Sequence, residues 1–164
     1  MMKKLKIYLD TSVINFLFAD DAPEKKEIAI DFFENYINDF DVYISDVVLN
    51  EIDKTTNLER KNALLDIIKK YPIKFLENID SDEIINLAKE YIENGILPKK
   101  SEIDALHVAI STVNQIDILL SWNYKHLANF NRKKKIQLIN LQNNFNYPFD
   151  ILTPMEVLDD KNSQ

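Results

Sequence analysis

The feature that most limits what this chain can become is an alternation. Short apolar runs of strand length are separated by longer stretches whose apolar residues recur at helical spacing. The strand-like runs are Lys6-Ile7-Tyr8-Leu9, Asp41-Val42-Tyr43-Ile44-Ser45, Ile73-Lys74-Phe75-Leu76, Asp117-Ile118-Leu119-Leu120-Ser121 and Ile136-Gln137-Leu138-Ile139-Asn140. Between them the sequence predicts a short helix capped by Ser12 and reaching Ala19, a helix from Pro23 to about Asn38, and one from Asp46 to about Lys54. Further helices run from Leu58 to Tyr71, where Pro72 stops the turn, from Ser81 to Asn94-Gly95, and from Ser101 to Asn114. Thr153-Pro154-Met155-Glu156 has the form of a last capping box with proline at the first helical position. Residues 141–150 read as a loop before that helix. Strands alternating with helices predict an α/β chain with a parallel sheet covered by helices.

At 164 residues this is the length of one domain, expected over 1–160, with a frayed tail after Asp159 and disorder at 161–164. Cysteine is absent, which excludes disulfide frameworks, thiolate zinc sites and cysteine nucleophiles. Gly95 is the single glycine, so no glycine-rich nucleotide loop can form, and two histidines exclude a multi-histidine metal site. The net charge of −7 argues against gripping nucleic acid by bulk charge, so such a role needs a local patch or a metal. Lysines before apolar residues at Met1-Met2-Lys3-Lys4 only faintly resemble a signal peptide, since the apolar run is short and broken by Lys6. No run approaches about 18 apolar residues, so the expectation is a cytoplasmic protein without a membrane span.

In an open parallel sheet, ligands bind beyond the carboxyl ends of the strands, near the point where strand order reverses. That rule selects Asp10 after strand one, Ser45 and Asp46 after strand two with Glu51 on the next helix, Ser121, Trp122 and Asn123 after strand four, and Asp104 in the first turn of the helix leading there. It places Asp117 at the opposite end. Each has a plainer reading. Asp10 can cap the first helix, Ser101-x-x-Asp104 fits a capping box, and Glu51 can be a solvated charge. Taken together, three converging carboxylates repel one another unless a cation sits between them, and an all-oxygen set suits Mg2+ or Mn2+. His107 follows Asp104 by one turn and is either a ligand or a packed, hydrogen-bonded histidine. Trp122 is a wall residue or a platform for stacking a base. Arg132-Lys133-Lys134-Lys135, the densest positive run, is a solvated turn or a phosphate contact.

Four stretches in this order resemble the PIN-domain family, in particular VapC-type toxin ribonucleases. They are Tyr8-Leu9-Asp10-Thr11-Ser12-Val13, Ile44-Ser45-Asp46-Val47-Val48-Leu49-Asn50-Glu51-Ile52, Glu102-Ile103-Asp104-Ala105-Leu106-His107-Val108-Ala109, and Ile118-Leu119-Leu120-Ser121-Trp122-Asn123-Tyr124-Lys125-His126-Leu127. The resemblance implies a three-layer α/β/α PIN-like fold with a five-stranded parallel sheet, and Mg2+- or Mn2+-dependent cleavage of RNA phosphodiester bonds. It places the family's acids on Asp10, Glu51 and Asp104, with Ser12 positioning water or Asp10, and with Asp46 and Ser121 nearby. The fourth family acid falls on Asn123, a neutral oxygen ligand, so the site carries three formal charges in place of four. The family also implies a small antitoxin partner and a homodimer.

A catalytically weak PIN-like module that binds RNA or a partner protein is the alternative, motivated by Asn123 and the acidic balance. A phosphatase or phosphoacceptor using Asp10 is disfavoured, because Asp10-Thr11-Ser12 lacks a second aspartate two places on.

Overall fold

The computed structural model describes residues 3–77, 81–123, 127 and 129–162. Met1 and Met2 of the N-terminal run, Tyr124, Lys125 and His126 of the fourth stretch, and Ser163 and Gln164 of the tail lie outside the described residues.

The strands are β1 (Lys6–Leu9), β2 (Asp41–Ile44), β3 (Ile73–Phe75), β4 (Ile118–Leu120) and β5 (Asp150–Leu152). The helices are α1 (Thr11–Asn15), α2 (Pro23–Asp31), α3 (Asp46–Asp53), α4 (Leu58–Lys70), α5 (Asp82–Glu93), α6 (Glu102–Val113), α7 (Phe130–Gln142) and α8 (Pro154–Asn162). All strand pairs are parallel and the order is β3-β2-β1-β4-β5. Right-handed crossovers carry the chain outward from β1 through β2 to β3, then back across to β4 and outward to β5. The first four helices therefore cover one face, and α5, α6 and α7, which pack on one another, cover the other. Ile7, Tyr8 and Leu9 of the central strand are fully buried, as a strand sandwiched between helix layers requires. Strand order reverses between β1 and β4, so the loops leaving their carboxyl ends part to opposite faces and open a crevice.

The expected fifth strand is a helix. Ile136–Asn140 lies inside α7, where Ile136, Ile139 and Asn140 are buried and Leu138 is exposed. That i, i+3, i+4 spacing is helical, and a short apolar run does not by itself distinguish strand from helix. Asn129 caps α7 by accepting from Arg132 N at 2.9 Å, so Arg132–Lys135 belongs to a helix and not to a turn. The sheet takes its fifth strand from Asp150–Leu152, which starts at the last residue of the segment read as a loop, with Ile118, Leu119 and Leu120 opposite Asp150, Ile151 and Leu152.

Other elements differ at their ends. The long helix from Pro23 becomes a π turn at Phe32–Tyr36, and both Phe32 and Phe33 are buried, packed edge to face with ring centres 5.4 Å apart. Helix α8 continues through Asn162, past the fraying expected after Asp159. Its capping box forms as read, with Glu156 N donating to Thr153 Oγ1 and Thr153 N donating to Glu156 Oε1, both at 3.2 Å. Among the described residues, no helix is long and apolar enough to cross a membrane.

Behind the crevice, Tyr91 of α5 donates to Asn140 Oδ1, and Asn140 Nδ2 donates to Thr112 Oγ1 at 3.1 Å. This buried network ties three helices together. Tyr91→Phe strands the Asn140 carbonyl, and an unsatisfied buried acceptor costs about 1–3 kcal/mol. Urea unfolding is expected to show that loss as a lower midpoint with an unchanged slope. An unchanged midpoint would mean that the bond contributes nothing net.

Candidate active site

Asp10 leaves β1 while still bound to the sheet, its N–H donating to Leu120 O at 3.2 Å. It caps α1, in the position expected of Ser12: its Oδ1 accepts from Ser12 N at 3.0 Å. Ser12 lies one residue further on. Its hydroxyl donates to Asp10 Oδ1 at 2.5 Å and accepts from Trp122 N at 3.0 Å. Ser121 repeats the pattern from β4, donating to Asp10 Oδ2 at 2.5 Å and accepting from Asn123 N at 3.0 Å. Each serine hydroxyl thus links a backbone amide of the β4 loop to one oxygen of the same carboxylate. Asp10 is 4% exposed. Burial pushes its pKa up, against the pull of His107 and of the two serine bonds, and Glu51 adds to the rise.

Glu51 is carried by α3, which Ser45 caps by accepting from Val47 N at 3.3 Å. Its Oε1 accepts from Thr11 Oγ1 at 2.6 Å and pairs with His107 Nε2 at 2.8 Å. Burial pushes this carboxyl up as well, but the hydrogen bond and charge of His107, with the Thr11 bond, outweigh it and leave Glu51 below its ordinary value. Asp104 is the third residue of α6. Ser101 makes no side-chain cap bond there, so the capping-box reading is not realised. Asp104 Oδ2 instead accepts from Asn123 Nδ2 at 3.0 Å.

Asp10, Glu51, Asp104 and Asn123 line one pocket of about 240 Å3, with Ser12 on its wall. Thr11, Asn15 and His107 complete the lining. Thr11 and Asn15 were missed, although their i, i+4 spacing just after Asp10 puts them on one face of α1. Tyr8 was missed because nothing local marks it: its hydroxyl lies 2.7 Å from His107 Nδ1. With Nδ1 on Tyr8 and Nε2 on Glu51, His107 is the hydrogen-bonded histidine of its two readings. Asp117 is at the far end of the sheet, as expected, accepting from Lys6 N at 2.7 Å.

Three of the residues or runs singled out in the sequence stand apart from the pocket. Asp46 is exposed in the first turn of α3 and does not line the pocket, because helical geometry points it away from the face that carries Glu51. Trp122 is 4% exposed and packed against Phe16, ring centres 5.6 Å apart, so its face is closed to a base. Within Arg132–Lys135, Lys133 is committed to Asp150 Oδ1 at 3.1 Å and Ile151 O at 3.2 Å, and Lys134 lies over the Phe130 ring. None of the four lines the pocket.

A PIN-domain family model matches residues 7–132. The chain belongs to the PIN-domain family. Solved structures that share this fold include two toxin–antitoxin complexes. VapBC2 from Rickettsia felis, bound to a DNA fragment from its promoter, matches at 14% identity and a TM-score of 0.55, over 91% of this chain and 98% of that one. VapBC-1 from nontypeable Haemophilus influenzae matches at 16% identity and a TM-score of 0.56, over 92% and 99%. No curated protein sequence matches the chain.

The donor set of this PIN domain fits a hard divalent cation: carboxylate and amide oxygens, no sulfur, and one deeply buried acid whose charge burial opposes. Among the described residues, no three His, Asp or Glu side chains stand close enough to form a ready-made cage. Each acid is held by neighbouring donors instead.

Because folding raises the Asp10 pKa, the stability that depends on Asp10 is fully present only below the ordinary carboxyl value of about 3.9 and is lost as pH rises through the folded value. In EDTA, Asp10→Asn is therefore expected to melt higher than wild type at neutral pH, with the gap closing in acid. Thermal melts across that range check this. A variant less stable than wild type at neutral pH would refute it.

Proposed function

We propose that this PIN domain is a Mg2+- or Mn2+-dependent endoribonuclease that hydrolyses RNA phosphodiester bonds, acting as the VapC-type toxin of a toxin–antitoxin pair. The observation that carries this reading is the meeting of Asp10, Glu51 and Asp104 in one pocket at the reversal of strand order. Asp10, Glu51 and Asp104 would hold the ion, and Asn123 would offer its amide oxygen. A bound divalent ion lowers the pKa of its water and neutralises phosphate oxygens. The chain's own part is to fix those oxygens: Ser12 and Ser121 hold Asp10, and Thr11 and His107 hold Glu51.

The VapBC complexes among the structural neighbours support a small antitoxin protein as partner. A homodimer and a cytoplasmic location belong to the same reading. Helix α7 starts from the carboxyl end of the sheet, which puts exposed Lys134 and Lys135 on the side an RNA backbone would approach. The alternative, a module that binds RNA or a protein without cleaving, draws on the Asn123 amide, which meets Asp104 where a fourth acid would stand. Cleavage of RNA in Mg2+ or Mn2+, lost in Asp10→Asn, Glu51→Gln and Asp104→Asn and absent in EDTA, supports the nuclease. RNA binding with no turnover supports the module.

Asn123→Asp separates the two roles of that amide. It replaces a donor 3.0 Å from Asp104 with a like charge, so the metal-free protein is expected to melt lower. It also adds an anionic oxygen, so Mn2+ is expected to bind more tightly and to raise the melting temperature further than in wild type. Calorimetric titration beside thermal melts checks both. Mn2+ binding no tighter than wild type would place Asn123 outside the metal site.

A further inference from the structure

A chain of buried hydrogen bonds runs from the middle of the sheet to Glu51. The Tyr8 side chain is fully buried, and its hydroxyl lies 2.6 Å from Ser45 Oγ and 2.7 Å from His107 Nδ1. His107, 1% exposed, places Nε2 at 2.8 Å from Glu51 Oε1. Ser111 Oγ donates to the His107 carbonyl at 2.8 Å.

The donor count fixes the direction of the last bond. A carboxylate only accepts, so Nε2 must carry hydrogen. If the ring is neutral, Nδ1 accepts from the Tyr8 hydroxyl. If the ring is protonated, Nδ1 donates to the Tyr8 oxygen, whose own hydrogen then turns to Ser45. Tyr8 satisfies either form, and Nε2–H points at Glu51 in both.

The geometry also divides the Glu51 carboxylate. Thr11 from α1 and His107 from α6 both bind Oε1, which leaves Oε2 as the oxygen for a ligand. Asp104 is on the same helix as His107, one turn earlier, so α6 supplies one acid of the pocket and sets the place of another.

We infer that Tyr8 and His107 are positioning residues that act through Glu51 Oε1 to present Oε2 to a divalent cation, without ligating it themselves. The inference rests on the metal-dependent reading above. It predicts that deleting the Tyr8 hydroxyl, which lies two bonds away from any ligand, weakens metal binding. Removal of such outer partners of a ligand typically costs about 10–100-fold in metal affinity.

The test is calorimetric Mn2+ titration without RNA, on wild type, Tyr8→Phe, His107→Leu, His107→Gln and Glu51→Gln, with thermal melts in EDTA for each. Tyr8→Phe and His107→Leu are expected to weaken Mn2+ binding about tenfold or more. His107→Gln, which keeps an amide donor near the Nε2 position, is expected to recover most of that loss. A structural role alone gives no reason for such recovery in metal affinity. Thr11→Val, near-isosteric and lacking the other donor to Oε1, is the second variant should Tyr8→Phe fail to fold, and is expected to weaken binding likewise. If Glu51→Gln weakens binding while Thr11→Val and the folded Tyr8 and His107 variants bind as wild type, the relay is overturned and the metal reading stands. If Glu51→Gln also binds as wild type, both fall together.

Discussion

The carboxylate of Asp10 is buried where the two halves of the sheet meet, and much of the surrounding structure serves to make that burial tolerable. An ionised carboxylate removed from water needs hydrogen-bond donors to hold its charge. The donors come from both sides of the strand reversal: Ser12 N and Oγ from α1, and Ser121 Oγ from the end of β4. Through those hydroxyls the carboxylate also orders the amides of Trp122 and Asn123. Capping and site formation are therefore one arrangement. The readings of Asp10 as helix cap and as functional acid compete on sequence grounds, but in the structure the capping carboxylate is also the one that lines the pocket.

Topology explains what was legible in the sequence. Once alternating strands and helices imply a parallel sheet, the carboxyl ends of the strands select Asp10, Glu51, Asp104 and Asn123 and set Asp117 apart, and the structure brings the four into one pocket. Local pattern failed where tertiary burial decides. Ile136–Asn140 looks like a strand over five residues, but over the thirteen of α7 its buried positions follow the helical period. Asp150–Leu152 is too short to carry a pattern at all and becomes a strand only through its ladder with β4. Trp122 directly precedes Asn123, and Asp46 shares a short helix with Glu51, but both turn away, the first into the core and the second into solvent. Tyr8 gave no local signal, because its His107 partner is 99 residues away along the chain, and the contact of Thr11 with Glu51 spans 40.

The pocket holds several acids in a protein that already carries a net charge of −7. Each is matched to a different class of donor: hydroxyls and an amide for Asp10, a hydroxyl and an imidazole for Glu51, and a side-chain amide for Asp104. The pKa directions follow from how deeply each acid is buried. His107 pulls both carboxyls down, but together with the serine hydroxyls it does not overcome the burial of Asp10, whereas its direct bond and charge, with the Thr11 bond, carry the less buried Glu51 to the other side of its ordinary value.

These donors also determine how much would have to change for a cation to enter. Carboxylate oxygens accept more than one bond, so Asp10 can keep both serines, and Glu51 can keep both partners on Oε1 and use Oε2. The Asn123–Asp104 bond is different, since there the amide nitrogen faces the acid. Turning the amide over would bring its oxygen toward the pocket and release Asp104 Oδ2 in the same motion. On the metal-dependent reading, two acids are held in place beforehand and the third is kept quiet by a neutral amide that can yield. A fourth carboxylate at position 123 could not do this, because it would repel Asp104 until the ion arrived.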